Sequence, residues 1–296
     1  MNQRRESGHS VRRRRGGGLR VWVLLAFIAY GAWYWFSNQS VDPVTGENVL
    51  IDRSLSAEDE KALGLQAYQQ ILEQERWVDP DATISREVRN IAERLIAKVE
   101  PVEAALAAEH GMEPTRFSAG FDWEVNVIDS DQANAFALPG GKMAVYTGLV
   151  PVAGNEDAMA VVMGHEIAHA VLRHGAQRMA QQRLSQIGQA AGAFSGMDPQ
   201  QQQMVMAAMG YGYLLPYARK HESEADEVGL MLAAAACFDP REAVPLWERM
   251  GQGAGGQAPP EFASTHPSSE TRIAHLQSLM PKALEFRARF CEEGPL

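Results

Sequence analysis

Residues 165–169 read His165-Glu166-Ile167-Ala168-His169 and close an apolar stretch that runs from Ala158 to Gly164. No other feature constrains the chain as tightly. The apolar run predicts a buried helix starting near Asn155 and continuing past Arg173 to about Ile187. In a helix, positions i and i+4 lie about 40° apart around the axis and roughly 6 Å along it. Two imidazoles then leave one face and can grip one ion. Glu166 is rotated off that face, so it is placed to deprotonate a water in a metal-assisted hydrolysis rather than to chelate. The plain alternative is a core helix whose two histidines are hydrogen-bonded to neighbours.

A second segment narrows the choice. Glu222-Ser223-Glu224-Ala225-Asp226 opens the apolar run from Val228 to Ala236, which reads as another helix. Glu222 and Asp226 are again i and i+4. An ion held by two His needs a third protein ligand, and Glu222 is the candidate. A ligating His also needs a partner for its other ring nitrogen, commonly a carboxylate, and Asp226 fits that need. This ligand chemistry points to Zn²⁺, one per chain. His174 and His221 flank the motifs without ligand spacing and read as peripheral.

The pairing of His165–His169 with Arg219-Lys220-His221-Glu222-Ser223-Glu224-Ala225-Asp226 resembles the zinc endopeptidases of the HtpX, BepA and CAAX-prenyl-protease type, gluzincins whose third ligand is a Glu. The resemblance extends to Asn134-Ala135-Phe136-Ala137-Leu138-Pro139-Gly140-Gly141, to Tyr146-Thr147-Gly148-Leu149, and to Ser264-Thr265-His266-Pro267 followed by Arg272. It covers roughly residues 55–285. Position 218 is Ala where the family usually has Ser. The resemblance implies an α+β, mostly helical zincin-like metallopeptidase domain with a small β-sheet beside the metal helix. It implies Glu166 as general base, then proton donor to the leaving amine. It makes Asn134, Ala135, Phe136 and Ala137 the edge strand that pairs with an extended polypeptide. It allows His266 to enter the cleft as a latch on the fourth metal position, and Arg219 or Arg272 to support the developing oxyanion. The implied substrates are unfolded or misassembled envelope or membrane proteins. A different class stays open: a chaperone or assembly factor that binds unfolded clients, with cleavage minor or latched.

The N-terminus carries its own signal. Residues 1–40 hold seven Arg against one acidic residue, in a chain whose net charge is −10. The block Arg12–Arg15 and Arg20 abut an apolar run, Val21–Phe36, that ends in Trp33-Tyr34-Trp35. Basic flank, apolar run and aromatic belt together predict one transmembrane helix. The expected organisation is a basic cytoplasmic segment (1–20), an anchor (21–37), a linker (38–54) and the metallopeptidase domain (55–296). Positive charge stays inside, which puts the domain in a periplasm. The alternative is a mitochondrial inner membrane, facing the intermembrane space. The acidic body disfavours nucleic acid as a partner. Cys237 and Cys291 are the only cysteines, and in an oxidising compartment they are expected to pair.

Within the domain, Ser56 caps a helix to about Arg76, and helical spacing continues from Ile84 to Glu109 with an interruption at Pro101. Trp123–Ile128 alternates like a strand, and Pro139-Gly140-Gly141 reads as a hairpin turn. Residues 188–203 read as a break, Met204–Leu215 as an apolar lid or buried helix, and Gly251–Pro260 as a flexible linker.

Overall fold

The computed structural model describes residues 17–196, 198–210, 214–252, 266 and 270–291. Its first helix, α1 (Gly17–Ser37), contains the apolar run. The transmembrane expectation for 21–37 meets a correction here. Among the described residues, no helix is long and apolar enough to cross a membrane. The apolar run gives about 24 Å of helix against the roughly 30 Å of a hydrocarbon core. Its Gly, Ala, Tyr and Trp also dilute its hydropathy. One side of α1 packs on α7 (His174–Ser195), where Gly31 admits the side chains of Ile187 and Leu184. The other side exposes Val21, Trp22, Leu25, Ile28, Trp33 and Phe36. Arg12–Arg15 lie outside the described residues.

The expected linker, 38–54, is folded. β1 (Gln39–Val41) and β2 (Asn48–Leu50) pair antiparallel. Leu50 is fully buried, and its amide donates to the Tyr217 hydroxyl at 3.2 Å. Asn38 Oδ1 accepts from the Arg53 amide at 2.8 Å, and Asp52 accepts from Tyr34 and Arg183. The polar residues that suggested a solvated linker satisfy one another and clamp α1 to the body.

The body starts at α2 (Ala57–Gln74), set by a reciprocal capping box between Ser56 and Asp59. α3 (Thr83–Ile96) and α4 (Val99–Glu109) follow. The break between them falls at Ala97–Lys98 and not at Pro101, which sits in the first turn of α4, where its missing N–H costs nothing. β3 (Glu124–Ile128), β4 (Ala135–Leu138) and β5 (Lys142–Tyr146) form a sheet of order β3-β5-β4, with β3–β5 parallel and β4–β5 antiparallel. The Gly140-Gly141 turn has φ of 88° at both residues, a region that favours glycine. β4, carrying 135–137, is an edge strand of this sheet.

A short α5 (Val150–Ala153) leads into α6 (Glu156–Val171), every residue of which from Ala158 onward is buried. Its partner across the core is α9 (Leu215–Ala235). The two backbones nearly touch at Gly164 and Gly229. A Cβ on Gly229 would lie 2.6 Å from the His165 amide nitrogen and 2.8 Å from the Gly164 carbonyl carbon. α7 continues to Ser195, and Gly196 closes it with a left-handed φ of 82°. Asp198 then caps α8 (Pro199–Met209), which absorbs the Gln run that read as a break and exposes Met204 and Val205. α10 (Ala243–Gln252) and α11 (Glu270–Phe290) complete the core. A disulfide, Cys237–Cys291, ties the end of α9 to the end of α11. The expected linker at 253–260, and Ser264, Thr265 and Pro267, lie outside the described residues.

Candidate metal centre

Asn155 sets the register of α6: its side chain accepts from the Ala158 amide at 2.8 Å, with Glu156 and Asp157 in the first turn. His165, Glu166 and His169 then fall in the buried second half. The Gly164–Gly229 approach brings α9 close enough for Glu222 and Asp226 to reach them. The two Nε2 atoms of His165 and His169 are 3.1 Å apart. Glu222 places Oε2 3.5 Å from His165 Nε2 and Oε1 3.5 Å from His169 Nε2. His266 adds a fourth donor, its Nδ1 lying 3.1 Å from His165 Nε2 and 2.7 Å from Glu222 Oε2. Ligands on a tetrahedral zinc, at about 2.0–2.1 Å each, sit roughly 3.3 Å from one another. The four donors lie within 4.8 Å of one another and are of the types that zinc takes, so they suit such a cage.

Charge is organised around the same point. Asp226 Oδ1 lies 3.0 Å from His165 Nδ1, the nitrogen turned away from the cluster. Arg272, buried on α11, grips Asp226 through two nitrogens at 2.6 and 2.7 Å and reaches Glu222 at 3.2 Å. Its guanidinium stacks 3.4 Å over the Trp247 ring of α10. Burial opposes charge on His165, yet Asp226 and Glu222 hold its pKa up at about 9. Glu222 stays well below the usual carboxylate range: burial acts against that, and hydrogen bonds from His165 and His266 prevail. His169 is driven far down by burial and by His165, His174 and His266 around it. The carboxylates thus draw positive charge into a buried pocket, which is what a cation site requires. Glu166 is 4 % exposed, its pKa is raised by burial, and its Oε1 has no hydrogen-bond partner among the described residues. The nearest ring nitrogen to that oxygen is His266 Nε2 at 3.5 Å.

The profile of peptidase family M48 matches residues 93–280. The chain belongs to peptidase family M48. It is 36% identical over 267 residues to the mitochondrial metalloendopeptidase OMA1 of Schizosaccharomyces pombe, covering 88% of this chain and 72% of that protein. It is 31% identical over 289 residues to human mitochondrial metalloendopeptidase OMA1, covering 89% and 50%. The β-barrel assembly-enhancing protease of Escherichia coli is 31% identical over 158 residues, covering 50% and 32%. The chain spans about half the length of the human relative. Membership makes it a metalloendopeptidase, the activity expected from the two motifs.

The structure of this M48 chain separates the candidate residues. It brings His165, Glu166, His169, Glu222, Asp226, His266 and Arg272 together. It engages Arg272 with Asp226 and Glu222. Arg219 is exposed, early in α9. Ala135–Ala137 lie on β4, which packs against α6, and Asn134 caps the strand, its carbonyl accepting from Tyr146.

His174 was missed by periodicity. On a continuous helix it would leave a different face from His169. The chain instead turns at Arg173, which adopts a left-handed φ of 56°. Glu60 of α2, fully buried, holds Arg173 through paired hydrogen bonds, and the guanidinium covers the Phe117 ring. That turn ends α6, where the sequence predicted continuation, and sets His174 Nδ1 2.7 Å from His169 Nδ1. The only signal in the sequence was the His at position i+5, which has no meaning without the turn.

Proposed function

We propose that this M48 chain is a zinc endopeptidase in which His165, His169 and Glu222 hold one Zn²⁺ and Glu166 moves the protons. The observation that carries this reading is the convergence of those three donors beside Glu166, whose buried Oε1 accepts no hydrogen bond among the described residues. Bound there, zinc would supply Lewis-acid polarisation of the scissile carbonyl and acidify a water. Glu166 takes a proton from the attacking water and returns it to the leaving amine. Asp226 orients His165 through its outer nitrogen, and Arg272 locks Asp226 and Glu222 against rotation. β4, the edge strand among the described residues, offers that edge to an extended polypeptide, which selects for unfolded chains through main-chain hydrogen bonds rather than side-chain identity. The exposed apolar side of α1 supports attachment to a membrane surface, and the disulfide supports an oxidising compartment. Unfolded envelope or membrane proteins are the substrates that fit both.

His266 supports a latched resting state, because its Nδ1 takes the fourth corner that substrate or water needs. A latched chain could also serve as a binder of unfolded clients. Glu166→Gln separates the two. It should retain zinc and client binding while casein-type cleavage by the full chain falls by at least about 10²-fold. Cleavage at wild-type rate by Glu166→Gln would refute Glu166 as the base. Cellular function surviving that substitution would assign the role to binding.

A further inference from the structure

Behind the metal cluster lies a second group of buried side chains: His174, His221 and Glu224, with donor atoms all within 4.8 Å of one another. His174 is fully buried, His221 is 2 % exposed and Glu224 is 8 % exposed. Their hydrogen positions follow from chemistry, resting on the reading of His169 as a ligand through Nε2. That bond uses the Nε2 lone pair, so Nδ1 of His169 carries the hydrogen. The atom 2.7 Å away, His174 Nδ1, must then accept it. A neutral His174 that accepts at Nδ1 carries its own hydrogen on Nε2. That hydrogen faces Glu224 Oε2 at 3.3 Å. Glu224 in turn lies 3.6 Å from Lys220 Nζ.

The His174 ring is held in its plane by His221, stacked at 4.2 Å with 15° between the planes. His221 is oriented in the same way. Gln177 donates its amide NH₂ to the Leu172 carbonyl at 2.9 Å, so its Oε1 is the atom left to accept from His221 Nε2 at 3.0 Å. The Leu172 carbonyl lies at the end of α6, so the whole assembly is anchored on the turn that terminates the metal helix.

We propose that His174 and Glu224 form a positioning relay for the metal, in the order Glu224–His174–His169, fixing the tautomer and ring angle of His169. The two ligating histidines are thereby held by different means: His165 directly by Asp226, His169 through an intervening imidazole. The same three side chains do not form a second metal site while the first is filled. A metal on His174 Nε2 would force the hydrogen of His174 onto Nδ1. It would then point at the hydrogen on His169 Nδ1, and one ring would have to become an imidazolate.

The test uses the full-length chain and zinc alone, with affinity measured by chelator competition. His174→Phe keeps the ring and removes the acceptor, and should weaken zinc binding by about 10- to 100-fold. His174→Asn, whose carbonyl oxygen can stand near the position of Nδ1, should recover part of that loss. Glu224→Gln should weaken binding less than Glu224→Leu, because the amide oxygen still accepts from Nε2–H. Because His174→Phe can also fail to fold, the tautomer is read independently in the wild-type zinc form by ¹⁵N histidine NMR, where His174 should be protonated on Nε2 alone. Wild-type affinity in folded His174→Phe, a hydrogen on His174 Nδ1, or two zinc ions per wild-type chain with one lost in Glu224→Leu would each overturn the relay.

Discussion

Gly229→Ala tests whether the approach of α6 and α9 creates the metal site. The added Cβ would meet the His165 nitrogen at 2.6 Å, the His165 Cα at 2.7 Å and the Gly164 carbonyl carbon at 2.8 Å. All three are backbone atoms, so no side chain can swing aside. Ordinary carbon contacts need about 3.5 Å or more, so the helices must separate by roughly 0.7–1 Å. Overpacking of this kind costs about 1–3 kcal/mol, while replacing Gly by Ala inside a helix returns about 1 kcal/mol. Global stability therefore changes little, by about 0–2 kcal/mol, and is a poor reporter. The ligand set is far less forgiving, since metal–ligand distances tolerate about ±0.2 Å. The shift moves Glu222 and Asp226, on α9, away from His165 and His169, on α6. Zinc affinity, read by chelator competition, should fall by at least about 10-fold, equivalent to roughly 1.4 kcal/mol. Gly192→Ala is the control: its Cβ would meet only a flexible Gln202 side chain at 3.8 Å. That variant should keep wild-type affinity. Gly229→Ala binding zinc as tightly as wild type would refute the idea that this crossing sets the site.

Three further outcomes follow from particular groups. His266→Ala should raise basal cleavage of unfolded casein several-fold by freeing the fourth corner; unchanged or lower activity would remove the latch. Glu103, buried beside Ser118 and near Asp42 and Glu100, has its pKa pushed up by burial to about 7 from the usual 4.5. The native state then holds a proton that the unfolded chain has released, so this group makes stability fall as pH rises from about 4.5 through 7. Glu103→Gln should flatten that slope and stabilise the chain at pH 8 by roughly 2–3 kcal/mol in chemical denaturation; an unaltered pH slope would count against it. Reducing Cys237–Cys291, which closes a separation of 54 residues, should lower stability by about 4 kcal/mol on the chain-entropy account, visible as a drop in Tm under reductant.

The candidate ligands were legible because helical periodicity is local. His165 with His169, and Glu222 with Asp226, each share a face by virtue of a four-residue spacing that any helix enforces. The capping residues Ser56 and Asn155 and the hairpin glycines at 140 and 141 were legible for the same reason: each acts on backbone within a few residues of itself. What periodicity cannot carry is any event that interrupts it. The left-handed Arg173 is stabilised by Glu60, more than a hundred residues earlier, and so His174 read as peripheral although it abuts His169. The segment 38–54 read as linker because its polar partners, Tyr217 and Arg183, come from distant helices.

By itself, the order of residues determined that His165 and His169 share one helix face, that Glu222 and Asp226 share another, and that Glu166 is turned off the first, since all three follow from rotation per residue along a helix. Only the tertiary structure decided that Gly164 and Gly229 would let two helices meet closely enough to join the halves, that Arg272 would clamp the carboxylates, and that His174 would stand behind His169. Those outcomes depend on backbone contact between elements far apart in the chain, and contact of that kind leaves no periodic trace.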